Sequence, residues 1–314
     1  MTLGECLVAL VAATPGPLAE TTVFERHVAG AEANAAVGLA RLGHPVAYIG
    51  RVGSDGFGTA IVRKLRGEGV DVDHVIVDDA APTGLMVRER RAFGAAHVLY
   101  YRARSAGSRL GPADVDAAAG AFTGARWLHV TGITPALSPT ARAAVDRAIE
   151  IARDARLTIS LDLNLRRKLW SEAEAALVLR ELAAKVDIVM GDEDEMRLIS
   201  GSAGSAEALA RALPASISIV KLGRAGAVAA TAGRTFRAPA VPVPGVVDPV
   251  GAGDAFAAGF IAATLEGKPL DEALRVANAC GAAAVTVVGD MGGLPDRLEL
   301  DRLLAATPGA DTLR

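Results

Sequence analysis

Segments with the hydrophobic pattern of β-strands alternate with segments of helical spacing along most of this chain. The predicted strands cover residues 5–11, 45–50, 127–132, 157–163, 187–191 and 216–223. The predicted helices cover residues 32–42, 58–66, 138–154, 171–184 and 193–200, and two further helices begin near Gly253 and Leu270. Strands that alternate with helices favour a mostly parallel central sheet with helices on both faces. We therefore expect an α/β fold in the form of a three-layer sandwich.

Two stretches interrupt this alternation, residues 12–30 and 83–104. Both contain partly alternating segments such as TTVFERHV that have no helical spacing, which is typical of strands. No long Gly/Ser linker separates them from the rest of the sequence. We expect the two stretches to form a small β-sheet lid over a site, while residues 1–11, 31–82 and 105–314 form the main α/β domain.

The charge and apolar content of the chain argue against several classes of protein. Its 314 residues include 33 basic and 36 acidic side chains, a net charge of -3 that disfavours nucleic-acid binding. No apolar run reaches the roughly 18 residues that a membrane span needs, and the N-terminal segment lacks the positive residues of a signal peptide. Cys6 and Cys280 have no CxxC spacing, and we interpret both as core residues. We expect a cytoplasmic globular protein.

Residues 248–260, DPVGAGDAFAAGF, have the pattern of an anion-binding turn that leads into a helix. Gly251, Ala252 and Gly253 carry almost no side chain, so the backbone amides at the helix start can approach an anion closely. Asp254 follows in the first helical turn. A carboxylate beside a bound phosphate would repel it, and its plausible role is to accept the proton of an attacking hydroxyl. The alternative is an ordinary helix start whose acid complements the macrodipole.

Five motifs in a fixed order resemble those of the ribokinase-like (PfkB) carbohydrate kinases. GAEANAAVGLARLGHPVAYIGRVGSDGFG at residues 30–58 resembles the first signature of the family, and residues 248–260 resemble the second. Residues 162–170, 191–201 and 220–226 are similar to its middle elements. The resemblance implies a ribokinase-like fold with a β-sheet lid, ATP and Mg²⁺ as cofactors, and transfer of the γ-phosphoryl group to a sugar hydroxyl.

The resemblance also implies roles for individual residues. It makes Asp254 the catalytic base, assisted by the backbone of Gly251, Ala252 and Gly253. The implied sugar-binding residues near the first signature are Gly30, Ala31 and Asn34, and the implied ATP-binding residues are Asn164, Lys221, Gly223, Gly226, Gly251, Gly253 and Asn278. Taken alone, the glycines of KLGRAG indicate only a tight turn, and Asn34 only a polar residue near a helix start.

An acidic cluster follows the predicted strand at residues 187–191. Related kinases commonly have Asn-x-x-Glu there, and in this chain Asp192 replaces the Asn while Glu195 is retained. Carboxylate oxygens suit Mg²⁺, so the resemblance implies metal binding at Glu195 and Asp192, although acids in a first helical turn are also ordinary capping residues. A monovalent cation such as K⁺ is a further candidate cofactor. Pro249 is a second departure, because many members of the family have Thr there.

Arginines near the presumed lid bear on the choice of substrate. The segment LYYRARSAG places Tyr100 and Arg102 on one face of a predicted strand, and Arg166 comes from the main domain. Two guanidinium groups that converge on one pocket suit a carboxylate better than a neutral sugar. The alternative is that both are surface arginines.

Four segments of the sequence resemble those of 2-keto-3-deoxygluconate kinases more closely than those of fructokinases or ribokinases: GAEAN, YYRxxSAGS, GITPALSP and DLNLRRKLW. The resemblance implies phosphorylation of this sugar acid at its terminal (C6) hydroxyl, giving 2-keto-3-deoxy-6-phosphogluconate. The alternatives are a related kinase for fructose or 5-dehydro-2-deoxygluconate, a nucleoside kinase, and a non-catalytic sugar-binding protein. The exposed edge of the lid sheet favours a homo-oligomer formed through the lid.

Overall fold

The computed structural model describes residues 1–90 and 97–305. Within these ranges the strands are β1 (Thr2–Leu3), β2 (Leu7–Ala12), β3 (Phe24–Ala29), β4 (Tyr48–Gly53), β5 (Val75–Asp78), β6 (Leu85–Arg88), β7 (Val98–Tyr101), β8 (Trp127–Thr131), β9 (Thr158–Asp162), β10 (Ile188–Asp192), β11 (Ile217–Lys221), β12 (Ala227–Ala230) and β13 (Thr235–Ala238). The helices are α1 (Ala31–Arg41), α2 (Gly56–Gly67), α3 (Pro112–Ala117), α4 (Pro139–Asp154), α5 (Glu172–Ala183), α6 (Glu193–Ser200), α7 (Ala206–Arg211), α8 (Ala252–Leu265), α9 (Leu270–Ala284) and α10 (Arg297–Ala305).

A large sheet forms the middle layer of the molecule. Its strands lie in the order β13-β12-β11-β10-β9-β8-β1-β4-β5. All neighbours from β11 to β5 are parallel, and β12 and β13 add an antiparallel hairpin at one edge. The predicted α/β class with a mostly parallel sheet is confirmed.

Helices cover both faces of this sheet, because side chains alternate along each strand. Ile188 and Met190 of β10 pack in one core with α8 and α9, whereas Val189 packs in the opposite core with α4 and α5. The apolar helix α8 is buried on almost every side, as expected for a helix without a polar face. It contacts both α1 and α9. A Cβ atom on its Gly259 would lie 2.7 Å from Cys280 Sγ, so this glycine permits the close approach of α9.

A second, smaller sheet has the order β3-β2-β6-β7 and contains strands from both stretches that were predicted to form a lid. We call it the lid, and its role in covering a site stays a prediction. Its central strands β2 and β6 are parallel, and the outer strands pair with them in antiparallel fashion. The prediction that residues 5–11 form a main-domain strand is wrong, because β1 ends at Leu3 and the chain enters the small sheet at Leu7. The rest of the division into two domains stays a prediction, and residues 91–96 and 306–314 lie outside the described ranges.

Other differences from the sequence prediction are local. The strand expected at 45–50 begins at Tyr48, and the short helices α3, α7 and α10 were not predicted. Cys6 and Cys280 are buried free thiols, as predicted. In residues 1–90 and 97–305, the helices are all too short or too polar to traverse a lipid bilayer.

Candidate active site

The glycine turn before α8 has the geometry that an anion-binding helix start requires. Gly251 precedes α8 and has a φ of 81°, which disfavours a side chain. A Cβ atom there would also lie 2.5 Å from the carbonyl oxygen of Asp290. The free amides of the first turn of α8 belong to small residues, Ala252 and Gly253, so nothing bulky covers them. The turn can therefore receive an anion, as the sequence predicts.

Asp254 lies in this first turn and is held by two amides from distant parts of the chain. Asn34 Nδ2 donates to Asp254 Oδ2 at 2.7 Å, and Asn164 Nδ2 donates to Oδ1 at 3.2 Å. Burial raises the pKa of Asp254 to about 7, against the lowering effects of the Asn34 hydrogen bond and the Arg166 charge. A carboxyl group with a pKa near neutrality can act as a general base at physiological pH.

Lys221 places a positive charge beside the same turn. Its Nζ donates to both oxygens of Asp162, at 2.7 and 2.9 Å. Burial acts to lower the pKa of Lys221, but the charges of Asp162 and Glu195 outweigh it, so the net shift is upward and the amine stays protonated. A Cβ atom on Gly253 would lie 3.3 Å from this Nζ. The small residue thus leaves the ammonium group open to an anion at the turn.

A cavity of about 690 Å³ opens on one side of the turn, and several predicted ATP-binding residues line it. It is bounded by Lys221, Gly223, Gly226, Gly253 and Asn278, together with a largely apolar wall. Gly226 has a φ of 91°, and a Cβ atom there would lie 2.1 Å from the carbonyl oxygen of Ala238. The size and lining are typical of a small-molecule site.

Two of the predicted ATP-binding residues have other contacts in this structure. Asn278 Nδ2 donates to the carbonyl oxygens of Ala238 and Pro239 at 3.1 and 3.0 Å, so it anchors the β13 end beside the cavity. Asn164 contacts Asp254 instead of lining this cavity, and it has a positive φ of 37°. Its position therefore favours a role at the catalytic carboxyl group.

The predicted metal-binding acids form a helix cap. Asp192 Oδ1 accepts from the Glu195 amide and Glu195 Oε2 accepts from the Asp192 amide, each at 2.8 Å. Glu195 Oε1 also accepts from the Leu165 amide at 2.7 Å. Burial raises the pKa of Glu195. Across residues 1–90 and 97–305, no group of three or more acids, histidines or cysteines could enclose a metal ion.

Residues of the first signature reach Asp254 from helix α1, through the hydrogen bond of Asn34. Gly30 precedes α1 with a φ of 148°, and a Cβ atom there would lie 2.5 Å from the Glu5 carbonyl oxygen. Ala31 begins the helix, and Asn34 follows one turn later. Asn34 Oδ1 is buried and has no hydrogen-bond partner among the described residues. This acceptor is free for a ligand.

Tyr100 and Arg102 lie at the end of the lid, but they do not form the open pair that strand alternation predicts. β7 ends at Tyr101, and Arg102 follows it. The Arg102 guanidinium donates from Nε to Glu5 Oε2 at 2.6 Å and lies 5.5 Å from the centre of the Tyr100 ring. Because Arg102 is buried against a carboxylate, much of its charge is already compensated. The sequence did not predict Glu5 as the partner of Arg102, because Glu5 lies far away in the chain, between β1 and β2.

Arg166 differs from Arg102 in this respect. Within the described residues its side chain has no ion-pair or hydrogen-bond partner, and its charge acts on both Asp254 and Asp290. Asp290 was not predicted as a site residue. It is buried, its pKa is raised by that burial, and its Oδ1 atom has no hydrogen-bond partner in the described part of the chain. The only sequence signal for it is an acid within the glycine-containing segment VGDMGG.

Comparisons with known proteins agree with this arrangement. The model of the pfkB family of carbohydrate kinases matches residues 1–297. The chain is 42% identical over 310 residues to a 2-dehydro-3-deoxygluconokinase of Thermoproteus tenax, covering 97% of this chain and 93% of that protein. It is 38% identical over 311 residues to the enzyme of the same name from Bacillus subtilis (strain 168), covering 98% and 95%.

Solved structures extend the agreement to the fold. A putative Ribokinase II from E. coli, in complex with ATP and Mg²⁺, matches with a TM-score of 0.89 and 30% sequence identity. The match covers 96% of this chain and 97% of that one. The predicted ribokinase-like fold is thereby confirmed. From the family match, the full-length relatives and the geometry around Asp254, this chain belongs to the pfkB family of carbohydrate kinases.

Proposed function

We propose that this enzyme transfers the γ-phosphoryl group of ATP to the C6 hydroxyl of 2-keto-3-deoxygluconate (2-dehydro-3-deoxygluconate), giving 2-keto-3-deoxy-6-phosphogluconate. The observation that carries the proposal is the placement of Asp254, buried at the start of α8 between two orienting amides. The names of the relatives from Thermoproteus tenax and Bacillus subtilis support the choice of sugar acid.

Asp254 is the proposed general base. With a pKa of about 7 it is substantially ionised at neutral pH and can accept the proton of a hydroxyl that attacks phosphorus. The amides of the first turn of α8 and the Lys221 ammonium group lie where they can stabilise negative charge on the transferring phosphoryl group. Asn34 and Asn164 hold the carboxyl group in orientation.

ATP is assigned to the 690 Å³ cavity because its inner end meets the anion-binding turn. Mg²⁺ commonly uses only one or two carboxylates together with phosphates and water. Glu195 fits this role in part, because its carboxylate lies close enough to Asp162 and Lys221 to interact with their charges, although both of its oxygens accept hydrogen bonds from backbone amides. Asp192 supports Glu195 through the helix cap. When bound, the ion would neutralise phosphate charge.

The substrate carboxylate is assigned mainly to Arg166. Its guanidinium has no partner among the described residues, whereas Arg102 binds Glu5 through Nε and Nη2. Arg102 therefore has fewer free hydrogen-bond donors, and we assign it, together with Tyr100, a smaller part in binding the substrate. The backbone at Gly30 and Ala31, the free oxygen of Asn34 and the carboxyl group of Asp290 remain for the sugar hydroxyls. These assignments place hydroxyl-binding groups and a carboxylate-binding group around one catalytic base, Asp254.

An ATP-coupled assay with a panel of sugars tests the proposal. The panel contains 2-keto-3-deoxygluconate, its galacto epimer, 5-dehydro-2-deoxygluconate, fructose and ribose. We expect the highest kcat/KM for 2-keto-3-deoxygluconate. A higher value for fructose would replace the sugar-acid assignment with the fructokinase alternative. Substituting Na⁺ for K⁺ in the same assay tests the predicted monovalent-cation cofactor.

Oligomerisation through the lid also remains a proposal. The outer strand β7 exposes Leu99 and Tyr101, the latter with 61% of its surface accessible. An exposed apolar strand at a sheet edge favours pairing with a second chain. Sedimentation of the wild type and of Tyr101→Lys, which adds charge to this edge, would detect such an assembly.

A further inference from the structure

A buried ion pair joins the lid to the catalytic turn. Arg88 ends the lid strand β6, and Asp248 begins the segment that leads to Gly251. Arg88 Nη1 donates to Asp248 Oδ1 at 3.0 Å, and Nη2 donates to Oδ2 at 2.5 Å. Arg88 is 7% exposed and Asp248 is 6% exposed. The two planar groups therefore meet in the paired geometry that best fixes their relative orientation.

Asp248 also fixes two loops that surround Asp254. Its Oδ1 accepts from the Val250 amide at 3.2 Å, within the catalytic turn. Its Oδ2 accepts from the Gly289 amide at 3.1 Å, next to Asp290. The carbonyl oxygen of Asp290 in turn lies against Gly251, where a Cβ atom would meet it at 2.5 Å. One carboxylate thus holds the anion-binding turn, and the loop that carries Asp290, in a single arrangement.

Arg88 connects this arrangement to the sugar-binding part of the lid. In the small sheet it pairs with Val98 of β7 and with Val11 of β2. β7 continues directly to Tyr100 and Arg102, so a rigid movement of the lid would displace all three residues together. The contact between Arg88 and Asp248 is therefore sensitive to lid position.

The alternative is that the pair only stabilises the fold. A buried charge that loses its partner strongly destabilises a protein, so lower stability on mutation would not distinguish the two roles. The geometry favours a positioning role in addition to stability. Asp248 contacts the backbone of the catalytic turn and of the loop that carries Asp290, whereas Arg88 belongs to the small sheet.

We propose that Arg88 is a positioning residue, which uses its ion pair with Asp248 to align the anion-binding turn with the lid for phosphoryl transfer. It contacts neither the proposed proton acceptor nor the transferring group, and it acts through Asp248. The inference rests on the proposed site around Asp254, and it holds for whichever sugar of the panel is the substrate.

The test compares Arg88→Ala and Arg88→Lys with Arg51→Ala. Arg51 is a matched control, because its Nη1 donates to both oxygens of Asp114, at 2.9 and 3.0 Å, and its Nη2 donates to Asp78 Oδ2 at 3.0 Å, all outside the proposed site. Steady-state kinetics are measured at a temperature where circular dichroism shows each variant folded. We expect Arg88→Ala to lower kcat by about 10²-fold, the effect of misplacing reacting groups by roughly 1 Å. Both KM values should change little.

Further readouts separate positioning from folding. Hydrolysis of ATP without sugar should rise relative to sugar phosphorylation in Arg88→Ala, because a misaligned lid excludes water less well. Arg88→Lys should recover part of kcat, and Asp248→Asn combined with Arg88→Ala should cost less than the sum of the two single changes. If Arg88→Ala does not fold, Arg88→Lys and Asp248→Asn carry the same test.

The proposal is overturned if the Arg88 variants lose thermal stability as Arg51→Ala does while kcat stays within about twofold of wild type, since misalignment costs far more. Equal changes in kcat for Arg88→Ala and Arg51→Ala would also overturn it. A failure of the base assignment appears separately, as near-normal turnover in Asp254→Asn.

Discussion

The two sides of Asp254 are built by different means. The cavity side is formed mainly by glycine backbone and an apolar wall, with Lys221, Arg224 and Asn278 as its polar side chains. The lid side consists of charged side chains, two of which are arginines already paired with carboxylates, Arg88 with Asp248 and Arg102 with Glu5. Backbone groups suit a ligand that does not vary, such as a nucleotide phosphate, whereas charged side chains can discriminate among different substrates. The difference supports the proposal that the nucleotide binds on the first side and that the second side selects the substrate.

The largest effect is expected at the boundary between the two sides. Asp254→Asn keeps the size of the side chain but removes the proton acceptor, so kcat should fall by about 10²–10⁴-fold. Binding of ATP and sugar, measured by calorimetry, should persist, because Asn34 and Asn164 need only small adjustments. Near-normal turnover would remove Asp254 from the catalytic role.

On the lid side, Arg166→Ala should lower kcat/KM for a sugar-acid substrate by about 10- to 100-fold, the usual range for losing hydrogen bonds to a charged group. Fructose, if it is turned over at all, should be affected much less. Arg167→Ala is the matched control, because Arg167 is adjacent, exposed and paired with Glu172. Equal losses for sugar acid and fructose would show that Arg166 does not select for a carboxylate.

On the cavity side, Gly226→Ala should act through the backbone. The backbone of Gly226, with φ 91° and ψ -131°, lies in a region that is essentially restricted to glycine and costs another residue about 1–3 kcal/mol. The added Cβ would also meet the Ala238 carbonyl oxygen at 2.1 Å. We expect a lower melting temperature and a higher KM for ATP, with little change in the KM for sugar. Gly233→Ala is the control, because a Cβ atom there meets nothing within 4 Å. A rise in the sugar KM instead would contradict the division into two sides.

The same contrast explains what the sequence could predict. Gly251, Gly226 and Asp254 act within or beside local motifs, and helix and strand periodicity located most of the elements that carry them. The pairs Arg88 with Asp248 and Arg102 with Glu5 join residues separated by 160 and 97 positions. No local pattern encodes such a partner, so Arg102 was interpreted as a free substrate ligand. The strand Leu7–Ala12 was placed in the wrong sheet for the same reason, because an apolar strand does not specify its neighbours.

The smallest predicted effect is a pH-dependent change in stability at Asp254. Its folded pKa of about 7 lies above the ordinary value of 3.8, so between these pH values the folded enzyme holds a proton that the unfolded chain releases. The resulting stabilisation is complete below pH 3.8 and is lost as pH rises to about 7. Asn cannot titrate. The melting temperature of Asp254→Asn should therefore match that of wild type below about pH 3.8, exceed it increasingly up to about pH 7, and keep that excess at pH 8.

Activity should have the opposite pH dependence. In wild type, kcat/KM should rise as Asp254 ionises near pH 7, where the loss of stability that begins above pH 3.8 becomes complete. Differential scanning calorimetry and a pH–rate profile thus report one ionisation by two methods. If the rate rises near pH 7 while Asp254→Asn and wild type melt alike at pH 5 and pH 8, a different group controls the rate. If the rate rises near pH 7 and the two proteins also differ in melting temperature at pH 8, the same buried carboxylate accepts the proton in catalysis and lowers the stability of the fold.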